Sequence, residues 1–413
     1  MAEKTKQHFV PQFYLKNFAI NKKFNIYNIK RGLIENVPYG SQCYKNNFYG
    51  KDKIYETQLS ILEGKWATSI KNIITNPKNI STSDAESIKE FCCFQYLRTE
   101  SAYIHTQNML YDITSRTMPI IAQFHNLKVN DEDIKRYAYN YVKQKEDPEK
   151  TMKRQIDNAI KLSPIFNNLK LVILKNDTNI DFITSDNPII IGNEFQTENG
   201  LGLDCIGFYC LCPISPRHYI AIVDYKIYYK FKSKESININ ETMVKKINLI
   251  QFKKSLSNIF FKDIKTFCNL KEDLDYYEKA QKGKLLEEYN DKHNNFLSNN
   301  AKLAANQLFF EIIENTSNNP LISFLSKNLI ENITIELFDV DEKAQPFKNQ
   351  LIYNFHRSAT RKKVDERIAF MKFCNSDNVM NTIKHSVSKK QQQLVCKFEN
   401  FLYDYFGFKK TTK

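Results

Sequence analysis

Glycine and proline are scarce in this chain, ten and eleven of 413 residues, while Lys, Asn and Ile crowd it. A Walker loop, a GxGxxG turn, an HExxH pair, a GxSxG elbow and the kinase set are all missing, so none of these signatures guides the assignment. No stretch reaches 18 consecutive apolar residues, and the opening MAEKTKQHFVPQFYLKNFA holds no uninterrupted apolar segment of signal-peptide length. No membrane span is therefore expected, and the cytoplasm is the expected compartment. The nine cysteines (43, 92, 93, 205, 210, 212, 268, 374, 396) form no CxxC pair and no zinc-finger array. Their odd number also argues against a secreted disulfide framework. Cys210 and Cys212, one residue apart, fall on one face of a strand and read as small buried hydrophobes. No internal repeat of solenoid period is present.

What the chain does have is apolar material. Hydrophobic residues make up 42%, with 30 Phe and 23 Tyr, which suffices for a packed core. The formal charge is +14. Such a balance suits a polyanionic partner such as nucleic acid, although an AT-rich genome would enrich Lys without any selection for binding.

Pro11 can open a short helix over QFYLKNF, because its missing N–H is one that a first turn leaves unpaired. FNIYNIK (24–30) and LIENVPY (33–39) flank Arg31-Gly32 and predict a hairpin. Leu59, Leu62, Trp66, Ile70 and Ile73 recur at spacings of three and four, which predicts an amphipathic helix from Tyr55 to about Ile74. A second helix is expected after Thr82 or Ser83, with Glu86 near a capping-box position, running through FCCFQYLRT toward His125. Residues 131 to 162 are also helical in pattern. From Leu169 to about Tyr225, β-branched and aromatic runs separated by Asn, Asp, Gly and Pro predict four or five strands. ETMVKKINLIQFKKSL returns to helix, and NIFF adds a strand. The class is therefore α+β: a helical N-terminal half packed on a mainly antiparallel sheet, with a helical C-terminal extension. The expected division is a core domain over 1–265 and an extension over 271–413, interrupted at Pro320 and Pro346. Apolar residues such as Ile368, Phe370, Met371, Phe373, Phe398, Phe401 and Leu402 suggest helices through which that extension supports a homo-oligomer or a partner contact rather than catalysis.

Several polar residues have the chemistry of a site. His8, in QHFVPQFYL, can be a general base, a metal ligand or a phosphate contact; the plainer reading is a part-buried His bonded to the backbone. Glu56 and Glu63 lie two helical turns apart, so both carboxylates fall on one face, where they can hold a divalent ion or simply be solvated. Gln95 and Arg98 sit at i and i+3 on an apolar stretch. A guanidinium there needs a carboxylate or phosphate, so substrate binding and a structural pair with Glu56 or Glu63 are both open. Ser185, Asp186 and Asn187 follow a strand in DFITSDNPIII. Asp186 is placed to hold a metal or a water, or to form an Asx-turn, in which case Asn at 186 should cost about 1 kcal/mol or less.

HFVPQFYLKNF, YETQLSILE, FQYLRT, FITSDNP, CPISPRHYIAI and INLIQFKKSLSNIFF, in that order, resemble the bacterial family of domain of unknown function 4238. Its hallmark is an N-terminal His-x-Val-Pro-x-x-Tyr-Leu-x-x-Phe run, carried here by His8, Val10, Pro11, Tyr14, Leu15 and Phe18. Its Thr-Ser-Asp-x-Pro element is carried by Thr184, Ser185, Asp186 and Pro188. The chain departs from the family pattern at Glu100, where Pro often follows Arg-Thr. The resemblance covers residues 7 to 262 and implies a link to anti-phage defence islands. The resulting expectation is a metal-dependent hydrolase, nuclease-like, acting on phosphodiester bonds of nucleic acid. Its catalytic groups are His8, Glu56, Glu63 and Asp186, its substrate contacts Gln95, Arg98 and Ser185, and its Mg²⁺ or Mn²⁺ ligands Glu56, Glu63 and Asp186. The alternatives are a non-catalytic module binding a nucleotide, nucleic acid or phage protein, and a buried network that only orders the core.

Overall fold

The structure of the protein, a computed structural model, describes residues 5–145, 147–195, 202–275, 336–347, 355–374 and 389–409. The elements of the N-terminal half are β1 (Lys6–His8), α1 (Gln12–Leu15), β2 (Lys23–Asn28), β3 (Leu33–Pro38), β4 (Tyr44–Asn46), α2 (Ile54–Thr75), α3 (Thr82–Leu97), α4 (Glu100–Phe124), α5 (Asp131–Lys145) and α6 (Pro148–Leu162). There follow β5 (Lys170–Asn176), β6 (Thr184–Ser185), β7 (Ile190–Asn193), β8 (Phe208–Ser215), β9 (His218–Val223), β10 (Ser236–Ile239), α7 (Glu241–Lys254) and β11 (Asn258–Phe261). Helices α8 (Arg361–Cys374) and α9 (Lys389–Phe406) lie near the C-terminus.

A five-stranded sheet in the order β10-β5-β9-β8-β7 forms the centre, antiparallel throughout except for the β10–β5 pair. Side chains alternate across its strands and both faces are covered, which is why LKLVILK and HYIAIV read as nearly continuous apolar runs. Leu171, Ile173, Ile220, Ile222, Cys210 and Cys212 face one way, into a cluster with Trp66 of α2, Phe91 of α3 and Ile156 of α6. Val172, Leu174, Tyr219, Ala221 and Leu211 face the other, onto Val244 and Ile247 of α7 and onto the C-terminal segments. A second sheet, β3-β2-β11-β6, joins the expected hairpin to NIFF and to the Thr184-Ser185 strand. The architecture is α+β with a helical N-terminal half and helices near the C-terminus. Among the described residues no helix is long and apolar enough to cross a membrane.

Two helix boundaries differ from expectation. Ser81, not Thr82 or Ser83, caps α3, its hydroxyl accepting from the Asp84 N–H at 3.0 Å, so Asp84 and not Glu86 holds the third helical position. The helix also stops well short of His125. Arg98 ends it, and Thr99, extended at φ −78° and ψ 162°, caps a new helix by accepting from the Ala102 N–H. Pattern could not show this break because apolar residues continue on both sides of it.

The described C-terminal segments complete the core of the central sheet. Phe338, Phe347, Phe355, Val364, Ile368, Phe398 and Leu402 belong to one buried cluster with β5, β8, β9 and α7. Of the residues that suggested self-association, Ile368, Phe398 and Leu402 are thus inside the chain's own core, while Phe370 and Phe373 are exposed. Pro320 lies outside the described residues.

Candidate functional site

β1 pairs antiparallel with β4, placing His8 opposite Tyr44. Strand alternation turns Gln7 inward, where its side-chain Oε1 accepts from the Tyr49 N–H and its Nε2 donates to the Gly50 carbonyl at 2.9 Å. His8 stays half-buried, with Nε2 3.2 Å from the Gly40 carbonyl oxygen. That oxygen can only accept, so Nε2 carries the proton and Nδ1 keeps its lone pair. The Gln12 side-chain amide lies 3.2 Å from the same Nε2 and can turn its oxygen toward it. Burial lowers the His8 pKa below the usual histidine value, against the Gly40 bond and the Glu63 charge, which both raise it. The imidazole is therefore neutral at pH 7.

Glu56 and Glu63 are half-buried on α2. Arg98, ending α3, is fully buried and donates from Nη1 to Glu63 Oε1 at 2.8 Å and from Nε to Gln95 Oε1 at 2.9 Å. Gln95, also fully buried, passes the chain of bonds on by donating to the Phe9 carbonyl at 3.0 Å. The guanidinium carbon lies 5.8 Å from the centre of the Trp66 ring. Nη2 is sealed from solvent and has no hydrogen-bond partner. Glu63 keeps 28% of its side chain open, and its second carboxylate oxygen is unengaged. Burial pushes the Tyr49 phenol up; the Arg98 charge opposes this, while the Glu63 and Glu56 charges add to it, so both carboxylates act on one buried group.

The opening motif and the Thr-Ser-Asp element meet directly. Tyr14 donates to the Pro213 carbonyl at 2.6 Å and so accepts from the Thr184 hydroxyl at 2.7 Å. The Ser185 hydroxyl accepts from Gln251 Nε2 at 2.7 Å and from the Asn187 N–H at 3.0 Å, fully buried. Asp186 Oδ1 accepts from the Leu256 N–H at 2.9 Å; Oδ2 accepts from Ser257 and Asn258 at 2.8 and 2.9 Å. It thereby ties the turn after β6 to the turn before β11. The aspartate makes no hydrogen bond or ion pair with His8, Glu63 or Arg98. Its link to their neighbourhood runs through residue 43: the Phe9 N–H donates to the Cys43 carbonyl at 2.9 Å, and the Cys43 thiol, raised first by burial, is raised further by Asp186 and Glu100.

The expected metal set does not fit this geometry. Asp186 has both oxygens engaged by the backbone, Glu63 is paired with Arg98, and among the described residues no three His, Cys, Asp or Glu side chains are grouped to share an ion. Ser185, Gln95 and Arg98 are likewise sealed, so they brace the site from behind rather than face a ligand. Gln7, Tyr49 and Gln251 escaped the sequence reading, and Tyr14 entered it only through the opening motif. Gln7 is legible only through the strand period, which turns it to the face opposite Lys6 and His8.

Asp186 yields a prediction. Burial is the largest influence on it and raises its pKa to about 7, outweighing three N–H donors that each lower it. An amide has one acceptor oxygen, so Asp186→Asn must leave at least one buried N–H unpaired, a cost of about 1–3 kcal/mol rather than the 1 or less of a simple Asx-turn. A carboxyl with a raised folded-state pKa contributes stability that is full below its unfolded pKa and lost as pH rises toward 7. The stability deficit of Asp186→Asn, measured by denaturant unfolding, should therefore be larger at pH 5 than at pH 8. Equal deficits would contradict the raised pKa.

No curated protein matches this chain, and no solved structure does. One family match spans residues 6–265, which include every residue of the site. On that match, more than half of the sequence, the chain belongs to the family described as protein of unknown function (DUF4238).

Proposed function

We propose that the protein is an anti-phage defence effector that hydrolyses phosphodiester bonds of nucleic acid at the open rim formed by His8 and Glu63. The observation that carries the reading is His8: a half-buried, neutral imidazole held through Nε2, with Nδ1 unengaged, beside a carboxylate whose charge raises its basicity. Nδ1 takes the proton of the attacking water as the water oxygen bonds to phosphorus, and the P–O bond to the departing sugar oxygen breaks, that oxygen taking a proton from the imidazolium or from solvent. Arg98 is a positioning residue that holds Glu63. The +14 charge draws in the polyanion.

A second reading is a non-catalytic module that binds nucleic acid, a nucleotide or a phage protein through that rim; the sealed state of Gln95, Arg98, Ser185 and Asp186 fits a network that orders the core beneath it. One assay separates the two. Purified protein is incubated with DNA and RNA, with Mg²⁺, with Mn²⁺ and with EDTA, and phage protection is scored in cells. His8→Ala should lower cleavage about 100-fold or more with little change in melting. The cleavage rate should rise with pH through a pKa below 6.5, because only neutral imidazole accepts the proton, and be flat above it. Cleavage by His8→Ala at the wild-type rate removes the hydrolase reading, and wild-type binding without cleavage favours the module.

A further inference from the structure

Helix α4 grows out of the site at Thr99 and forms a hairpin with α5. Its base is packed: Thr106 is buried and bonded to Gln155 of α6. Beyond it, Met109, Ile113, Ile120 and Phe124 are exposed, Ile120 by 67% and Phe124 by 84%. At about 100° per residue these four fall within about 40° of one line along the helix, opposite the buried Ala122. The 25-residue helix carries only Glu100, Asp112 and Arg116 as charged side chains, few for a solvated surface. Isolated apolar residues on a surface are ordinary; a continuous stripe along a projecting helix marks an interface.

Two features identify what covers it. The stripe is a palindrome, since its spacings of four, seven and four read the same in both directions. A two-fold axis between Arg116 and Thr117 therefore sets Met109 against Phe124 and Ile113 against Ile120 of an antiparallel copy, the self-complementarity that an isologous interface requires. Charge agrees. α5 begins with Asp131, Glu132 and Asp133, with Lys135 and Arg136 a turn later, and carries Lys143 near its end. Because α5 runs back along α4, the same two-fold brings the acidic first turn of one α5 toward Lys143 of the other.

We propose that the protein is a homodimer in which two α4–α5 hairpins pair as a four-helix bundle, seated on the Met109–Phe124 stripe of α4. The surface does not involve the C-terminal helices, and it stands whether or not the site is catalytic.

Sedimentation of the full chain over a wide concentration range tests this, with thermal melting as the fold control. Wild type should sediment at twice the 48.7 kDa chain mass. Ile113→Lys and Ile120→Glu each act twice by symmetry and should raise the dimer Kd roughly 100-fold with unchanged melting, since both positions face solvent in one chain. Ile113→Lys combined with Ile120→Glu sets Lys against Glu across the axis and should recover at least tenfold of that loss. A wild type that is monomeric at every concentration overturns the proposal, as does a dimer indifferent to both single changes. A combined variant no tighter than the single ones overturns the antiparallel register and the proposal with it.

Discussion

Replacing Arg98 by methionine is expected to cost about 3–4 kcal/mol of stability, toward the lower end for a broken buried pair because Glu63 retains access to water. Three losses add: the ion pair at 2.8 Å, the donor to Gln95 Oε1, which stays buried with no replacement, and the packing of the guanidinium on Trp66. The change also removes the unpartnered Nη2, which offsets part of the cost. Lysine should rescue little, because one ammonium cannot reach both Gln95 and Glu63 in the fork geometry. In a double-mutant cycle with Glu63→Met, the double variant should lose at least about 1.5 kcal/mol less than the sum of the singles, as directly paired residues do. Denaturant midpoints give all four values. If the protein acts in phage defence as proposed, protection should fall in step with melting, because Arg98 positions Glu63 from behind. Wild-type stability with protection lost would mean that Arg98 meets the substrate itself.

Arg357→Ala should be at least as severe, about 3–5 kcal/mol. The residue precedes α8, yet its guanidinium reaches into the core: Nη1 donates to the Cys205 carbonyl at 2.7 Å, Nη2 to Leu203 and Ile165 at 3.0 and 3.1 Å, and Nε to Asn168 at 3.2 Å. Only 2% of the side chain is exposed. Alanine leaves these carbonyls without that donor and opens a cavity beneath Phe208, over whose ring the guanidinium sits at 5.6 Å. The arginine also anchors the short bridge between Cys205 and His356. Loss of the anchor should expose the segment from 355 onward to limited proteolysis before global unfolding, and lysine should restore only a minority of the stability. Unchanged proteolysis would show that Phe355, Phe398 and Tyr405 hold the segment without it. Truncation after Asp263 is expected to uncover the apolar face of Leu211, Tyr228 and Phe231 rather than to release a self-contained core.

The sequence by itself determined the class, the Arg31-Gly32 hairpin, the amphipathic α2 and the buried strands, because these depend on period and turn chemistry within short windows. Of the polar residues it brought forward, Glu63, Gln95 and Arg98 form one network, and both carboxylates of α2 act on Tyr49. The helix break at Thr99 was not legible, because one cap hydroxyl decides it inside an apolar run. What each polar residue does was decided only by the tertiary structure. Asp186 in a Ser-Asp-Asn-Pro turn has the same local pattern whether it faces a ligand or three N–H groups from a loop seventy residues away. Only the meeting of β6 with β11 selects the second. The C-terminal helices show the same limit: their apolar stripes were plain, but a stripe does not say whether its cover is the chain's own sheet, as for Phe398 and Leu402, or a surface still open, as for Ile113 and Ile120 on α4.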